Sequence, residues 1–224
     1  MKFRNGFSIL LAVAFALTMS VAAFAQAPCN FPGLIYCQPW DGGGNLFASQ
    51  NDTVSGFGNF ATVYDNFTLK QGYDIRSFHW VGGYFNPPNQ GPITAWTLTF
   101  YNDNAGTPGG AIGAGVFGGT ANETFLGYAG GFPIYEYSLY FHSFDIGPGT
   151  YWASVVPDLG FPPQWDWATG TGGVGVAYQC FFGGCGPIAV DMAFSLDTPE
   201  PGTLIMLGTG ILGLAGALRR KINL

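Results

Sequence analysis

Two histidines are the side chains of this sequence best suited to proton transfer, but neither has the context of a catalytic base. His79 stands beside Trp80 and His142 beside Phe141, each within a segment that alternates like a β-strand. The chain contains no Gly-x-Ser-x-Gly motif, so the turn that exposes a nucleophilic serine in many hydrolases is not indicated. We therefore expect no enzymatic activity, no catalytic residues and no cofactor.

Acidic side chains leave two alternatives open. Glu136, Asp158 and Asp166 could meet in space as the carboxylate pair of a glycoside hydrolase, but the sequence does not give their separation. The run from Asn102 to Asn104 is rich in oxygen ligands and could hold calcium. The same run is equally typical of a plain hairpin turn. We predict no metal site from these patterns.

Two tryptophans two positions apart suggest a ligand platform. Trp165 and Trp167 flank Asp166, and alternate residues of an extended segment point to the same face. If the rings are exposed, they could stack on sugar rings while the carboxylate accepts hydrogen bonds from sugar hydroxyls. The competing interpretation is that both rings pack in the core, because tryptophan is mostly buried in folded proteins.

Four cysteines lie in the central part of the chain: Cys29, Cys37, Cys180 and Cys185. An even number in an exported protein predicts two disulfides. Three pairings are possible, and the local pairs, Cys29 with Cys37 and Cys180 with Cys185, require the least chain closure. The spacings do not match those of zinc sites.

The N-terminus has the three parts of a secretory signal peptide. Lys2 and Arg4 form a short positive region, and an uncharged apolar run follows from Phe7 to Met19. Ala23 and Ala25 then supply the small residues that a signal peptidase recognises. We predict export, with residues 1–25 removed by signal peptidase after Ala25.

The C-terminus has the composition of a membrane anchor. An uncharged run from Leu204 to Leu218 is followed by three basic residues, Arg219, Arg220 and Lys221. The stretch from Gly202 to Leu218 has 17 residues, the lower limit for a transmembrane helix, and the basic cluster is expected to stay on the cytoplasmic side. The body between the two ends carries twelve acidic and two basic side chains. An acidic body placed outside the membrane agrees with the predicted signal peptide.

The motif Pro199, Glu200, Pro201 precedes this apolar run. Each proline restricts its own φ angle, and Pro201 disfavours helical geometry at Glu200, so the motif should be extended and accessible. A Pro-Glu-Pro motif, one apolar helix and a basic end in this order resemble the PEP-CTERM sorting domain of Gram-negative bacteria. The resemblance covers only the end of the chain. It implies processing by an exosortase near the motif and delivery to the cell surface or extracellular matrix, often together with exopolysaccharide production.

The body of the chain is predicted to be all-β. Charged residues make up only 9% of the chain and aromatic residues 17%, and the net charge of −6 excludes a basic nucleic-acid-binding protein. Short alternating segments are separated by Gly, Pro, Asn and Asp clusters, which is typical of a β-sandwich. The candidate strands are Thr62–Leu69, Ile75–Tyr84, Thr94–Tyr101, Thr124–Ala129, Pro133–Ile146, Thr150–Val156, Val174–Cys180 and Ile188–Leu196. We predict one antiparallel sandwich, jelly-roll-like, over residues 26–197, between a signal peptide (1–25) and a sorting signal (198–224).

The combined prediction is an exported surface or matrix protein with a non-enzymatic structural or adhesive role. Its processing partners would be signal peptidase and exosortase, and it would contact the membrane through its C-terminal helix. The alternative is a carbohydrate-binding module that engages exopolysaccharide through Trp165 and Trp167.

Overall fold

A computed structural model describes residues 27–198, and within this range there is no α-helix. Among these residues, therefore, none belongs to a helix long and apolar enough to cross a membrane. The predicted signal peptide (1–25) lies outside the described residues, and so does the predicted sorting signal after Thr198. The latter includes Pro199, Glu200, Pro201, Arg219, Arg220 and Lys221. The same holds for the transmembrane helix expected from Gly202 to Leu218.

The described residues form fifteen strands. In chain order they are β1 (Leu34–Gln38), β2 (Leu46–Ala48), β3 (Gln50–Asp52), β4 (Gly58–Leu69), β5 (Tyr73–Phe85), β6 (Ala95–Asp103), β7 (Pro108–Gly118), β8 (Thr124–Ala129), β9 (Phe132–Ile146), β10 (Gly149–Leu159), β11 (Gln164–Gly170), β12 (Ala177–Phe181), β13 (Gly184–Ile188), β14 (Asp191–Met192) and β15 (Phe194–Asp197). The all-β prediction is confirmed.

The strands form two sheets. In sheet I, β5 is the central strand: it pairs with β9 along one edge, and with β15 and then β11 along the other. Strand β8 pairs with β9, and β1 pairs with β15. Strands β2 and β14 both pair with β11. Sheet II has the order β13-β12-β4-β3-β10-β6-β7, with β4 also paired to β10. All pairings are antiparallel except that of β3 with β10, which is parallel at Asp158 and Leu159.

Aromatic rings from both sheets fill the space between them. Trp80 of sheet I lies 4.8 Å from Trp96 of sheet II, measured between ring centroids, and Phe78 lies 6.1 Å from Phe100. These residues belong to one large buried cluster. The architecture is therefore sandwich-like, as expected, while the jelly-roll assignment stays a prediction.

One predicted strand is wrong as a continuous element. The alternating run from Ile188 to Leu196 is divided between the two sheets, because Ile188 ends β13 in sheet II whereas β14 and β15 belong to sheet I. Met192, Phe194 and Leu196 do point into the core as the alternation predicts. The other seven predicted segments each contain or overlap one observed strand.

Candidate functional site

The last strand of the body is held by the segment that opens it. Ser195 of β15 donates a hydrogen bond from its Oγ to the Pro28 carbonyl (2.7 Å). The Thr198 amide donates to the Gly33 carbonyl (3.0 Å). We call these four residues the tail junction, because Thr198 is the residue before Pro199. The junction places the start of the tail beside the N-terminal segment of the body.

A buried histidine, His79, contacts Asp197, the residue directly before Thr198. His79 Nε2 lies 3.1 Å from Asp197 Oδ2, and His79 Nδ1 lies 2.8 Å from Ser138 Oγ. The three side chains come from β15, β5 and β9, which are neighbours in sheet I. The Phe31 ring stacks on the imidazole with 3.5 Å between centroids.

A hydroxyl, an imidazole and a carboxylate in this order also occur in serine hydrolases. Here, however, His79 has no exposed surface, Phe31 covers it, and Ser138 is buried. A nucleophile must be reachable by substrate, so the burial favours a structural role that pins Asp197 to the centre of sheet I. The trio could not be predicted from the sequence, because Ser138 lies 59 positions and Asp197 118 positions from His79.

The second histidine lies elsewhere. His142 is an exposed residue of β9 beside a groove of about 340 Å³ between β7 and the second half of β9. The groove is lined by aromatic rings from both sheets, among them Phe100, Phe117, Phe141 and Phe144. The structure therefore separates the two histidines instead of bringing them together.

Both disulfides join the local pairs. Cys29 is bonded to Cys37 and Cys180 to Cys185, and no free cysteine occurs among the described residues. The first bond closes the loop that contains Gly33 of the tail junction. The second closes the hairpin of β12 and β13, where the two cysteines face each other in register. By restricting the unfolded chain, a disulfide that closes a loop as short as Cys29–Cys37 adds about 2–3 kcal/mol to the free energy of unfolding.

We expect the exported protein to contain no free thiol. Alkylation followed by mass spectrometry should leave all four cysteines unmodified without reductant and modify all four after reduction. Proteolysis of the unreduced protein should yield Cys29 linked to Cys37 and Cys180 linked to Cys185. A peptide that links Cys29 to either distant cysteine would contradict the observed pairing.

Of the two interpretations of Trp165 and Trp167, the buried one agrees with the structure, and the exposed carbohydrate platform does not. Trp165 and Trp167 do share one face of β11, but that face lies in the core and neither ring has exposed surface. Trp165 Nε1 donates to the Tyr137 hydroxyl (3.1 Å), and Trp167 Nε1 donates to the Ala193 carbonyl (3.0 Å). A side chain at Gly82 would overlap the Trp165 ring, so this glycine allows the ring to lie across β5.

The acidic candidates are dispersed. Asp158 lies in sheet II and accepts a hydrogen bond from Asn51 Nδ2 (2.8 Å), whereas Glu136 and Asp166 lie on different strands of sheet I. Asp103, in the run considered for calcium, accepts hydrogen bonds from the Trp152 indole and the Gly106 amide at the β6–β7 turn. Within residues 27–198 no three His, Cys, Asp or Glu side chains are grouped as metal ligands.

A comparison with protein families identifies the tail. Residues 197–221 match the family model of the PEP-CTERM protein-sorting motif. No curated protein matches the chain. The predicted sorting domain is thus confirmed, and the match begins at Asp197, the residue that His79 holds. This signal implies processing by an exosortase and export to the cell surface.

Proposed function

We propose that this protein is an exosortase substrate displayed on the cell surface or in the extracellular matrix, where it has a non-enzymatic structural or adhesive role. The observation that carries the proposal is the sorting-motif match at residues 197–221, which starts where the last strand of the folded body ends. The proposed order of events is removal of residues 1–25 by signal peptidase, folding and disulfide formation, and then exosortase processing at the Pro-Glu-Pro motif.

The body has properties that suit an exposed, non-catalytic module. Two disulfides close its first segment and one hairpin, and large aromatic rings fill its core. Disulfides of this kind persist in oxidising compartments outside the cytoplasm. The burial of His79 and Ser138 supports a role without catalysis.

The tail junction and His79 hold the two residues that precede the Pro-Glu-Pro motif against the body. Because His79 holds Asp197 within sheet I and Gly33 accepts a hydrogen bond from Thr198, the Pro-Glu-Pro motif directly follows a segment that is held by hydrogen bonds. An exosortase would meet the motif directly next to the folded body in the chain. Association with exopolysaccharide remains part of the proposal.

Glu200→Ala is expected to abolish processing. The carboxylate is the one charged group of the motif, so its removal takes away the side chain best suited to charge-assisted recognition by a protease. The full chain should be produced in cells that contain an exosortase. The intact mass of the protein should then be measured in the surface fraction and in the membrane fraction. We expect the native protein to lack the residues beyond about Pro201 and the variant to retain them in the membrane fraction.

Thr203→Ala is the matched control, since it changes the tail outside the motif. The control should be processed like the native chain. Surface protein that still ends at Leu224 would contradict the proposal and leave a simple membrane anchor.

A further inference from the structure

A pocket of about 280 Å³ opens at one margin of the sandwich. Strands β2 and β11 of sheet I form one side, and β12 of sheet II forms the other. Phe85 and Phe132, from the ends of β5 and β9, complete its rim with 5.3 Å between their ring centroids. It is distinct from the tail junction and from the groove beside His142.

A buried carboxyl group lines this pocket. Asp166 points away from the tryptophan core and is only 2% exposed. One of its oxygens accepts a hydrogen bond from Gln164 Nε2 (2.7 Å), and the amide of Gln179 in turn donates to the Ala48 carbonyl (3.0 Å). Both amide groups of the pocket are thus oriented by donating within the protein. Among the described residues, no side-chain donor other than Gln164 bonds to Asp166.

The pocket supplies acceptors and lacks a positive partner. Burial of a carboxylate is costly unless a cation or several donors compensate it. The described part of the chain has only two basic side chains, Lys70 and Arg76, and neither lines the pocket. Arg76 pairs instead with Asp74 at 3.4 Å. A counter-charge for the ionised form of Asp166 would therefore have to come from outside the described part of the chain.

We propose that this pocket binds a protonated primary amine, with Asp166 as its counter-ion. The amide oxygens of Gln164 and Gln179 would accept the remaining ammonium N–H groups. The rings of Phe85 and Phe132 would cover the carbon skeleton and attract the cation by its interaction with their faces. The site rests on the proposed adhesive role and gives that role a ligand class: amine-bearing molecules of about the size of one sugar ring or a lysine side chain.

Binding should be coupled to proton release. Burial raises the pKa of Asp166 to about 7, partly offset by the hydrogen bond from Gln164. The described residues that line the pocket come from β2, β5, β9, β11 and β12 and from the segment before β2. Asp166 is the one titratable side chain among them. Below pH 7 an ammonium group must displace the proton of this carboxyl group. Affinity should therefore rise from pH 5 to pH 7.5, and protons should be released on binding at pH 6.

Titration calorimetry on the exported protein tests the site with three probes: glucosamine, cadaverine and the neutral N-acetylglucosamine. Two buffers of different ionisation enthalpy at pH 6 measure the released protons. We expect one or both amines to bind and N-acetylglucosamine to bind at least about tenfold more weakly, since it offers no positive charge. Tighter binding of glucosamine would assign an amino sugar, and tighter binding of cadaverine a chain amine such as lysine.

Asp166→Asn keeps the size of the side chain and removes the charge. It should weaken amine binding at least about tenfold at pH 7.5 and abolish the proton release. Asp158→Asn, which removes one charge from sheet II, should leave binding unchanged. Near-ultraviolet circular dichroism verifies that both variants are folded.

Absence of binding by both amines would overturn the proposal. Equal affinity for N-acetylglucosamine and glucosamine, or unchanged amine binding by Asp166→Asn, would overturn it as well. Each of these results is independent of the intact-mass test of tail processing, so the ligand site and the sorting proposal can fail separately.

Discussion

The double substitution Trp165→Ala, Trp167→Ala is expected to leave the body unfolded. Trp165 packs 5.0 Å from Trp96, and Trp167 packs 5.9 Å from Phe194, so the two rings connect sheet I to sheet II and to the last strand. Truncation of a buried tryptophan costs about 3–5 kcal/mol in the free energy of unfolding. Two such losses approach the whole stability of a domain, which is about 5–15 kcal/mol.

Each single substitution should lower the melting temperature by about 10 °C, since 1 kcal/mol corresponds to roughly 2–4 °C in a domain of this size. Thermal unfolding followed by near-ultraviolet circular dichroism measures the shift. Tyr128→Ala is the matched control, because this ring is 74% exposed and its truncation should change the midpoint little. A double variant that is folded and melts within a few degrees of the native protein would contradict the buried placement of both rings.

Trp165 and Trp167 show what the alternation of a strand can and cannot predict. The period of two residues placed both rings on one face, but it does not say whether that face meets the core or the solvent. In fact both faces of β11 are buried, since Ala168 belongs to a second small cluster with Val81 on the outer side of sheet I.

Strand β7 was not predicted at all, and its composition explains why. Its sequence from Pro108 to Gly118 is dominated by glycine and alanine and offers no alternating large side chains. The strand forms through a long antiparallel pairing with β6, in which Trp96 lies opposite Phe117. Whether this segment forms a strand therefore depends on its partner β6 and could not be predicted from its own residues.

The sorting tail was predictable because its signal is linear. Pro199, Glu200 and Pro201, an apolar run and a basic end follow one another in the chain, and no folding is needed to bring them together. The two disulfides were accessible for a related reason, since each joins cysteines close in sequence. By contrast, the contacts of His79 and the pocket of Asp166 each combine residues from at least three strands.

Asp166→Asn is expected to stabilise the body at neutral and alkaline pH. The pKa of Asp166 is raised to about 7 by burial in the folded protein, whereas the unfolded chain has the ordinary value near 3.8. Between these values the unfolded chain has released a proton that the folded protein still holds. Stability from this group is therefore lost as the pH rises, and the loss is complete above about pH 7.

The asparagine side chain does not titrate, so the variant avoids this loss. We expect it to exceed the native protein in free energy of unfolding by about 4 kcal/mol at pH 8 and by less than about 1 kcal/mol at pH 4. Urea unfolding with the disulfides intact, repeated at several pH values, measures the difference. Comparing the two proteins at each pH matters because Asp52 acts in the opposite sense. Its burial raises the pKa, but hydrogen bonds from four backbone amides outweigh this and lower it below its usual range.

Asp145→Asn is the matched control, since it removes one negative charge from an exposed position of β9. Its effect on the free energy of unfolding should be below about 0.5 kcal/mol at every pH, as is usual for surface substitutions. The prediction for Asp166 would be contradicted by an advantage of the variant that is constant with pH, because a constant advantage has no link to proton binding. A gain that grows through pH 4–7 would show that the buried carboxyl group lacks a counter-charge in the free protein. An amine bound in the pocket should then reduce the gain, because it stabilises the native carboxylate and not the asparagine.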